Sequence, residues 1–194
     1  GYSGTITSGK IKVNDEIQVF SSKEKIKIIK ILTPKGESDL AFKDQAVTLT
    51  LDKEVDISRG DLLCSVKNQN YFLSDQFASH IIWMNKEQMI PERNYIFKFI
   101  NFQTIGKITD LVHKININSF EKIASKFLNL NEIGYAKVAL NKNTIFNSYT
   151  NNKKLGSFVI IDQFNNQTVG AGVIEHELRR ASNISWHQMS INKN

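Results

Sequence analysis

The sequence has few of the residues that cross-link or stiffen a chain. Among 194 residues there are two prolines and one cysteine, Cys64. A lone cysteine cannot form an internal disulfide, so we expect a cytoplasmic location and a small core residue at Cys64. No run approaches the roughly 20 apolar residues of a membrane span, and no signal-peptide pattern is present. We therefore expect a soluble protein without a membrane partner.

Arginine is also scarce, although the formal net charge is +6. Only four of the 25 basic residues are arginine, and the lysines are spread along the chain. Proteins that read nucleic acids rely on the planar fork of arginine. We therefore attribute the positive net charge to a compositional bias of the whole sequence, and a nucleic-acid partner is disfavoured.

The usual motifs of a catalytic centre are missing. The four histidines have no zinc-like spacing, and no G-x-S-x-G sequence occurs. His80 and His113 lie in strand-like patterns, where a structural role is expected. The acidic residues near one turn are explained by a solvated loop; they are Asp52, Glu54, Asp56 and Asp61. We predict no catalytic, cofactor-binding or metal-binding residue, and no catalysis by this chain alone.

The first 20 residues contain a partial phosphate-binding pattern. Gly4, Gly9 and Lys10 fit the start of G-x-x-x-x-G-K-[ST], but Ile11 stands where the metal-binding Ser or Thr belongs. Apolar and polar residues alternate after Lys10, which is typical of a strand and not of the helix that such a loop requires. The stretch is predicted to be a hairpin with its turn at Asn14-Asp15.

Strand-like alternation continues through the first third of the chain. It predicts strands at Lys25–Leu32, Ala46–Leu51 and Leu62–Val66. Arg59-Gly60-Asp61 spells a cell-adhesion tripeptide, but a turn between strands is the better interpretation. Short strands without a convincing helix predict a small antiparallel barrel.

The strand pattern restarts after a connection at 67–74. Six further strands are predicted within FASHIIWM, YIFKFI, TIGKITDLVHKININ, IGYAKVAL, GSFVIID and TVGAGVI. They imply a second barrel, because closure removes the sheet edges. Ser119–Phe127 is predicted to be a helical turn or a loop, and Asn141–Lys154 a surface loop whose aromatic residues point inward.

The expected architecture is all-β, with two consecutive small antiparallel barrels. The first barrel is predicted at residues 1–72, the second at 73–176, and a tail or linker at 177–194. Trp186 in that tail is expected to dock either on this chain's own barrel or on a neighbour.

Several stretches together resemble one family. They are GYSGTITSGKIKVNDEIQVF, DQAVTLTLDKEVDISRGDLL, DQFASHIIWM, LNLNEIG and GSFVIIDQFNNQTVGAGVI. Over Gly1 to Ile174 the sequence resembles the large subunit of bacterial sulfate adenylyltransferase (ATP sulfurylase), a GTPase built like elongation factor Tu. Asn14 stands where that family commonly has glycine, and asparagine tolerates the same left-handed backbone.

The resemblance implies that the chain corresponds to the second and third domains of that subunit. GTP and Mg²⁺ would belong to a preceding GTPase domain, so no residue here inherits a nucleotide role. A strand upstream of GYSGT would complete the first barrel. The tail HELRRASNISWHQ is similar to the junction found in bifunctional members that continue into an adenylylsulfate kinase domain.

The implied role is coupling. In the family a small partner subunit makes adenylyl sulfate and pyrophosphate from ATP and sulfate, and GTP hydrolysis drives the reaction. Two alternatives remain at this stage. One is a translation-factor-like barrel pair that binds tRNA or ribosomal RNA, and the other is a free-standing structural or adaptor module.

Overall fold

A computed structural model describes the chain except for residues 67–70, 101 and 179–194. The expectations for the tail beyond Leu178, including Trp186, therefore lie outside the described residues. Within the described part there is no helix of the length and apolarity that a membrane crossing requires.

Fifteen β-strands make up the regular structure of the described residues. The first eight are β1 (Tyr2–Thr5), β2 (Lys10–Lys12), β3 (Glu16–Val19), β4 (Lys25–Thr33), β5 (Gly36–Ser38), β6 (Leu40–Phe42), β7 (Ala46–Leu51) and β8 (Leu63–Ser65). The remaining seven are β9 (Phe72–Trp83), β10 (Asn94–Lys98), β11 (Gln103–Ile115), β12 (Lys122–Ile123), β13 (Ile133–Phe146), β14 (Ser157–Asp162) and β15 (Thr168–Glu177).

The first barrel is built from β1 to β8. Its main sheet has the order β1-β7-β4-β3-β8, with β5 paired to β4, while β2 and β6 form a separate antiparallel pair. Along β7 the predicted alternation holds, because Val47 and Leu49 are buried and Thr50 is exposed. These side chains join an isoleucine-rich core that includes Ile28 and Ile31. Burial of one face of each strand therefore defines this barrel.

The expected hairpin at the start of the chain is wrong in its pairing. Asn14 adopts the left-handed backbone (φ 75°), and the turn is closed by the Asp15 carboxylate, which accepts a hydrogen bond from the Lys12 N–H (2.8 Å). The strands on either side do not pair with each other, because β2 pairs with β6 and β3 pairs with β4 and β8. Alternation locates strands but carries no information about their partners.

The second barrel closes on itself. Its strands follow the order β10-β14-β15-β9-β13-β11, and β10 also pairs with β11, so six antiparallel strands form a complete ring. The short β12 adds to the outer side of β11. Closure leaves no unpaired edge among the six strands, as the sequence pattern predicted.

Aromatic rings fill the second barrel. Phe77 is fully buried and its ring contacts those of Phe99, Phe146 and Phe158 at centroid distances between 5.3 and 6.2 Å. Trp83 packs edge-on against Tyr95, and its indole N–H donates to the Glu87 carbonyl (2.6 Å). Burial raises the pKa of the Tyr95 hydroxyl. These large rings form a major part of the buried core of the barrel.

Three predicted boundaries are wrong, because strands extend into expected loops. Residues 141–146 continue β13, and Phe72–Ser74, expected to belong to the connection, begin β9 and pair with them. Three exposed polar residues lie in the strand at the register shift between Ala139 and Thr144. They interrupt the alternation of apolar and polar residues, so the sequence pattern does not show that the strand continues. The third wrong boundary is the end of the last strand, because β15 runs past Ile174 to Glu177. The segment 119–127 contains β12 and no helical turn.

Gly156 provides a test of the packing at the end of the second barrel. A β-carbon there would lie 2.5 Å from the backbone of Tyr149, whereas one at Gly4 would meet nothing within 4 Å. We expect Gly156→Ala to lower the free energy of unfolding by about 1–3 kcal/mol, because backbone atoms cannot move aside. Urea denaturation is the measurement, and Gly4→Ala is the matched control. Equal stability of both variants would contradict the packing described.

Candidate functional site: the joint and cleft between the barrels

A small apolar cluster joins the two barrels. Phe20 and Cys64 from the first barrel pack with Ile145 from the second, and Leu62 and Tyr71 pack against them. The Phe20 and Tyr71 rings meet edge to face at 5.9 Å. Cys64 is therefore a buried core residue, as predicted, but it lies in the joint and not in the centre of a barrel.

Polar contacts reinforce the joint. The Lys154 ammonium group donates to the Asp44 carboxylate at 2.6 Å, which links residues 110 positions apart. This hydrogen bond holds the pKa of Asp44 below its usual value. Both side chains are exposed, so the pair contributes little to stability. No local sequence signal connects these two residues.

A cleft of about 1630 Å³ lies beside the joint. Residues 1–11 and 57–66 line it from the first barrel, and Ile100 and residues 151–155 line it from the second. Strand β1 pairs with β7 and has no second partner strand among the described residues. The cleft is therefore bordered by a strand edge that can bind an extended segment.

One residue that lines the cleft has a buried amide side chain. Asn152 is 7% exposed, and its side-chain oxygen accepts hydrogen bonds from the N–H groups of Lys154 (3.1 Å) and Leu155 (3.2 Å). Its Nδ2 has no partner among the described residues. A buried donor without a partner is costly, so this amide nitrogen destabilises the loop that contains it. No sequence motif marks Asn152.

The partial phosphate-binding pattern forms part of the cleft wall and does not fit a nucleotide. Gly4 lies in β1 opposite Val47, and Lys10 begins β2. Gly9 has φ 71° in the turn between these strands. A phosphate loop needs successive backbone N–H groups at the start of a helix, and here a strand follows instead. No step of GTP or Mg²⁺ chemistry is assigned to these residues.

The Arg59-Gly60-Asp61 sequence forms the predicted turn at the rim of the cleft. Gly60 has φ 107°, a conformation that favours glycine. The Asp61 carboxylate accepts a hydrogen bond from the Ser58 N–H (2.8 Å), and the Asp61 N–H donates to the Ser58 carbonyl. The aspartate is thus used within the turn. Of the nearby carboxylates, Asp52 accepts from the Lys27 N–H (2.9 Å).

His80 and His113 lie on the outside of the second barrel on either side of Tyr135. Their rings contact the tyrosine ring at 5.1 and 5.4 Å. Partial burial, together with Lys122 and His80, lowers the pKa of His113. Partial burial and a hydrogen bond to Glu175 raise the pKa of Tyr135. Ring packing accounts for both histidines, and no three His, Cys, Asp or Glu residues in the described part converge as metal ligands.

Two solved structures illustrate the similarity of this architecture to known proteins. Sup35 complexed with GDP superposes with a TM-score of 0.78 at 19% identity, over 91% of this chain and 44% of that one. Elongation factor SelB from Methanococcus maripaludis gives 0.73 at 21% identity, over 91% and 39%. At these identities the likeness establishes the fold alone. The class is therefore the elongation-factor type of tandem β-barrels.

The family follows from the sequence comparisons. Residues 76–175 match the family described as GTP-eEF1A C-terminal domain-like, and the chain belongs to it. Sulfate adenylyltransferase subunit 1 of Aliivibrio fischeri (strain MJ11) is 43% identical over 91% of this chain and 37% of that protein. The bifunctional enzyme NodQ of Rhizobium meliloti (strain 1021) is 39% identical over 100% of this chain and 30% of that protein. The family resemblance inferred from the sequence motifs is thereby confirmed.

Removing a ring from the joint tests how strongly the barrels are held together. We expect Phe20→Ala to lower the free energy of unfolding by about 3 kcal/mol, because a buried ring is lost and the cluster cannot close around the space. Phe42→Ala is the control, since Phe42 is 50% exposed. Thermal unfolding followed by circular dichroism is the measurement. A Phe20→Ala variant as stable as Phe42→Ala would show that the joint contributes little.

Proposed function

We propose that this chain is the two-barrel part of the GTP-hydrolysing subunit of a sulfate adenylyltransferase that serves sulfate assimilation. The observation that carries the proposal is the extent of the similarity: proteins named sulfate adenylyltransferase subunit 1 match 91% to 94% of the chain at 38% to 43% identity. Because the chain spans less than two-fifths of those relatives, the activities of the whole protein are part of the proposal.

In this proposal the remaining parts of the enzyme lie in other domains and subunits. A preceding GTPase domain binds GTP and Mg²⁺, and a small catalytic subunit makes adenylyl sulfate from ATP and sulfate in the cytoplasm. An adenylylsulfate kinase domain following the barrels is supported by the match to NodQ, which is named as bifunctional. The barrels contribute no reacting group; they transmit the change that GTP hydrolysis produces.

The joint between the barrels suits that role. A switch in a GTPase domain is a local rearrangement near the γ-phosphate, and a rigid attached body turns it into a displacement at a distant surface. Phe20, Ile145 and the Asp44–Lys154 pair hold the two barrels in one arrangement. If the link between the two barrels were flexible, the movement of the GTPase domain would not be transmitted to a partner subunit.

The cleft has a role in the same proposal. The edge of β1 lines this cleft and fits an extended strand that would pair with it and enlarge the sheet. The family resemblance implies such a strand directly upstream of GYSGT. We propose that this strand fills the cleft, completes the first barrel and connects it to the GTPase domain.

A translation-factor-like barrel pair that binds tRNA or ribosomal RNA is the second candidate. The structural likeness to Sup35 and SelB favours it. Those matches have 19% and 21% identity, against 38% to 43% for the sulfate adenylyltransferase relatives. RNA binding would also need free basic residues gathered on one face.

Coupling is tested with the full-length parent protein and its small subunit, by measuring pyrophosphate release from ATP and sulfate with and without GTP. We expect GTP to stimulate the reaction. Phe20→Leu removes the ring contact with Tyr71 and should lower the stimulation about threefold or more while GTP hydrolysis continues. Phe42→Leu is the matched control and should behave as wild type.

Two results would contradict the proposal. One is adenylyl sulfate formation that does not respond to GTP in the wild-type complex. The other is tight binding of tRNA that weakens steeply as salt is raised, which would support the translation-factor alternative.

A further inference from the structure

The two ends of the second barrel have different surroundings. The near end, with the turn around Ile100 and residues 147–156, borders the first barrel and the cleft. The opposite end, named here the distal end, consists of the loops 84–93, 116–132 and 163–167. The antiparallel register fixes this arrangement, because β9 and β11 end where β13 and β15 begin. The distal end is therefore remote from the joint.

Large apolar side chains are concentrated at the distal end. Seven of them, drawn from all three loops, are each more than two-fifths exposed: Met84, Ile90, Ile117, Phe120, Phe127, Leu130 and Phe164. Phe120 is 80% and Phe164 is 83% exposed, the two highest values among the exposed large hydrophobic residues in the described part of the chain. Large apolar groups gathered on one surface mark a protein interaction site.

These side chains are held in position by ordered loops. The Asn116 side chain accepts hydrogen bonds from the N–H groups of Asn118 and Ser119, and its carbonyl accepts from the Phe120 N–H. The Met89 N–H donates to the Leu128 carbonyl, which ties the first two loops together. An ordered surface loses little conformational entropy when a partner binds.

The third loop is fixed by Arg93. Its guanidinium group donates to the Asp162 carboxylate at 2.6 Å and lies 5.5 Å from the centre of the Phe164 ring. The first and third loops are therefore in contact. Together with the Met89–Leu128 hydrogen bond, this contact links the three loops at one end of the barrel.

The charges around this surface point to a protein partner. Three of the cations form ion pairs: Arg93–Asp162, Lys114–Glu132 and Lys107–Glu92. Lys86, Lys122 and Lys126 form no ion pair with any described residue, and neither do the carboxylates of Glu87 and Glu121. Three lysines interspersed with two carboxylates do not provide the row of cations that an RNA backbone requires. The three lysines complement a protein surface with an apolar centre and carboxylates at its rim.

We propose that the distal end of the second barrel is the surface that binds the small adenylyltransferase subunit, through an apolar region of that subunit bordered by acidic residues. This inference rests on the proposed function, which supplies the identity of the partner. Beyond the proposed function, the inference identifies which surface of this chain binds the small subunit and which side chains make the contact. In this arrangement the joint and the partner lie at opposite ends of one rigid barrel.

The test uses the full-length parent protein and the purified small subunit, with binding measured by isothermal titration calorimetry. The double variant Ile117→Ser/Phe120→Ser removes two apolar side chains from an exposed turn. We expect it to raise Kd about tenfold or more, because exposed aromatic anchors dominate such interfaces. Lys122→Glu/Lys126→Glu should also weaken binding, through repulsion by the acidic rim.

Phe42→Ser is the matched control, because Phe42 is 50% exposed on the first barrel, and it should leave Kd unchanged. Circular dichroism confirms that each variant is folded. Wild-type affinity in the Ile117→Ser/Phe120→Ser variant would overturn the assignment of this surface while leaving the proposed function intact. Failure of the wild-type proteins to bind each other would instead overturn both the proposed function and this inference.

Discussion

The structure depends on the closure of the second barrel through β10. This five-residue strand pairs with β14 on one side and with β11 on the other, and thereby converts a sheet into a ring. Closure gives the barrel two ends with separate loops, since every strand runs antiparallel to its neighbours. One end meets the first barrel at Ile145 and Lys154, and the other carries the exposed Phe120 and Phe164. A rigid body with two distinct ends is well suited to transmission.

Much of the fold could be predicted from the sequence, because a half-buried strand alternates apolar and polar residues. Both barrels, the absence of helix in the described residues and the left-handed Asn14 were predicted on that basis. The pairing of the strands could not be predicted from the sequence, since β2 pairs with β6 and not with β3. Strand ends were missed where a register shift interrupts the alternation, as it does between Ala139 and Thr144. The local sequence pattern shows which side chains are buried, whereas the pairing of strands depends on the fold of the whole chain.

The candidate site was less accessible to sequence reasoning. The Asp44–Lys154 pair depends on how the two barrels meet, which no local motif encodes. Phe120 looks like an ordinary loop residue until the topology places its loop at the same end of the barrel as Phe164. The family resemblance, by contrast, was visible in the sequence, and it gave the role of the parent protein without locating any contact surface.

The central claim is that the two barrels move as one body. Because Cys64 is buried, spin labels can be attached at cysteines introduced for the exposed residues Lys35 and Phe164, one on each barrel. Pulsed electron paramagnetic resonance on the full-length parent protein then measures the distance between the labels with GDP and with a non-hydrolysable GTP analogue. The account predicts the same narrow distance distribution in both states. A shifted or broadened distribution with either nucleotide would contradict it.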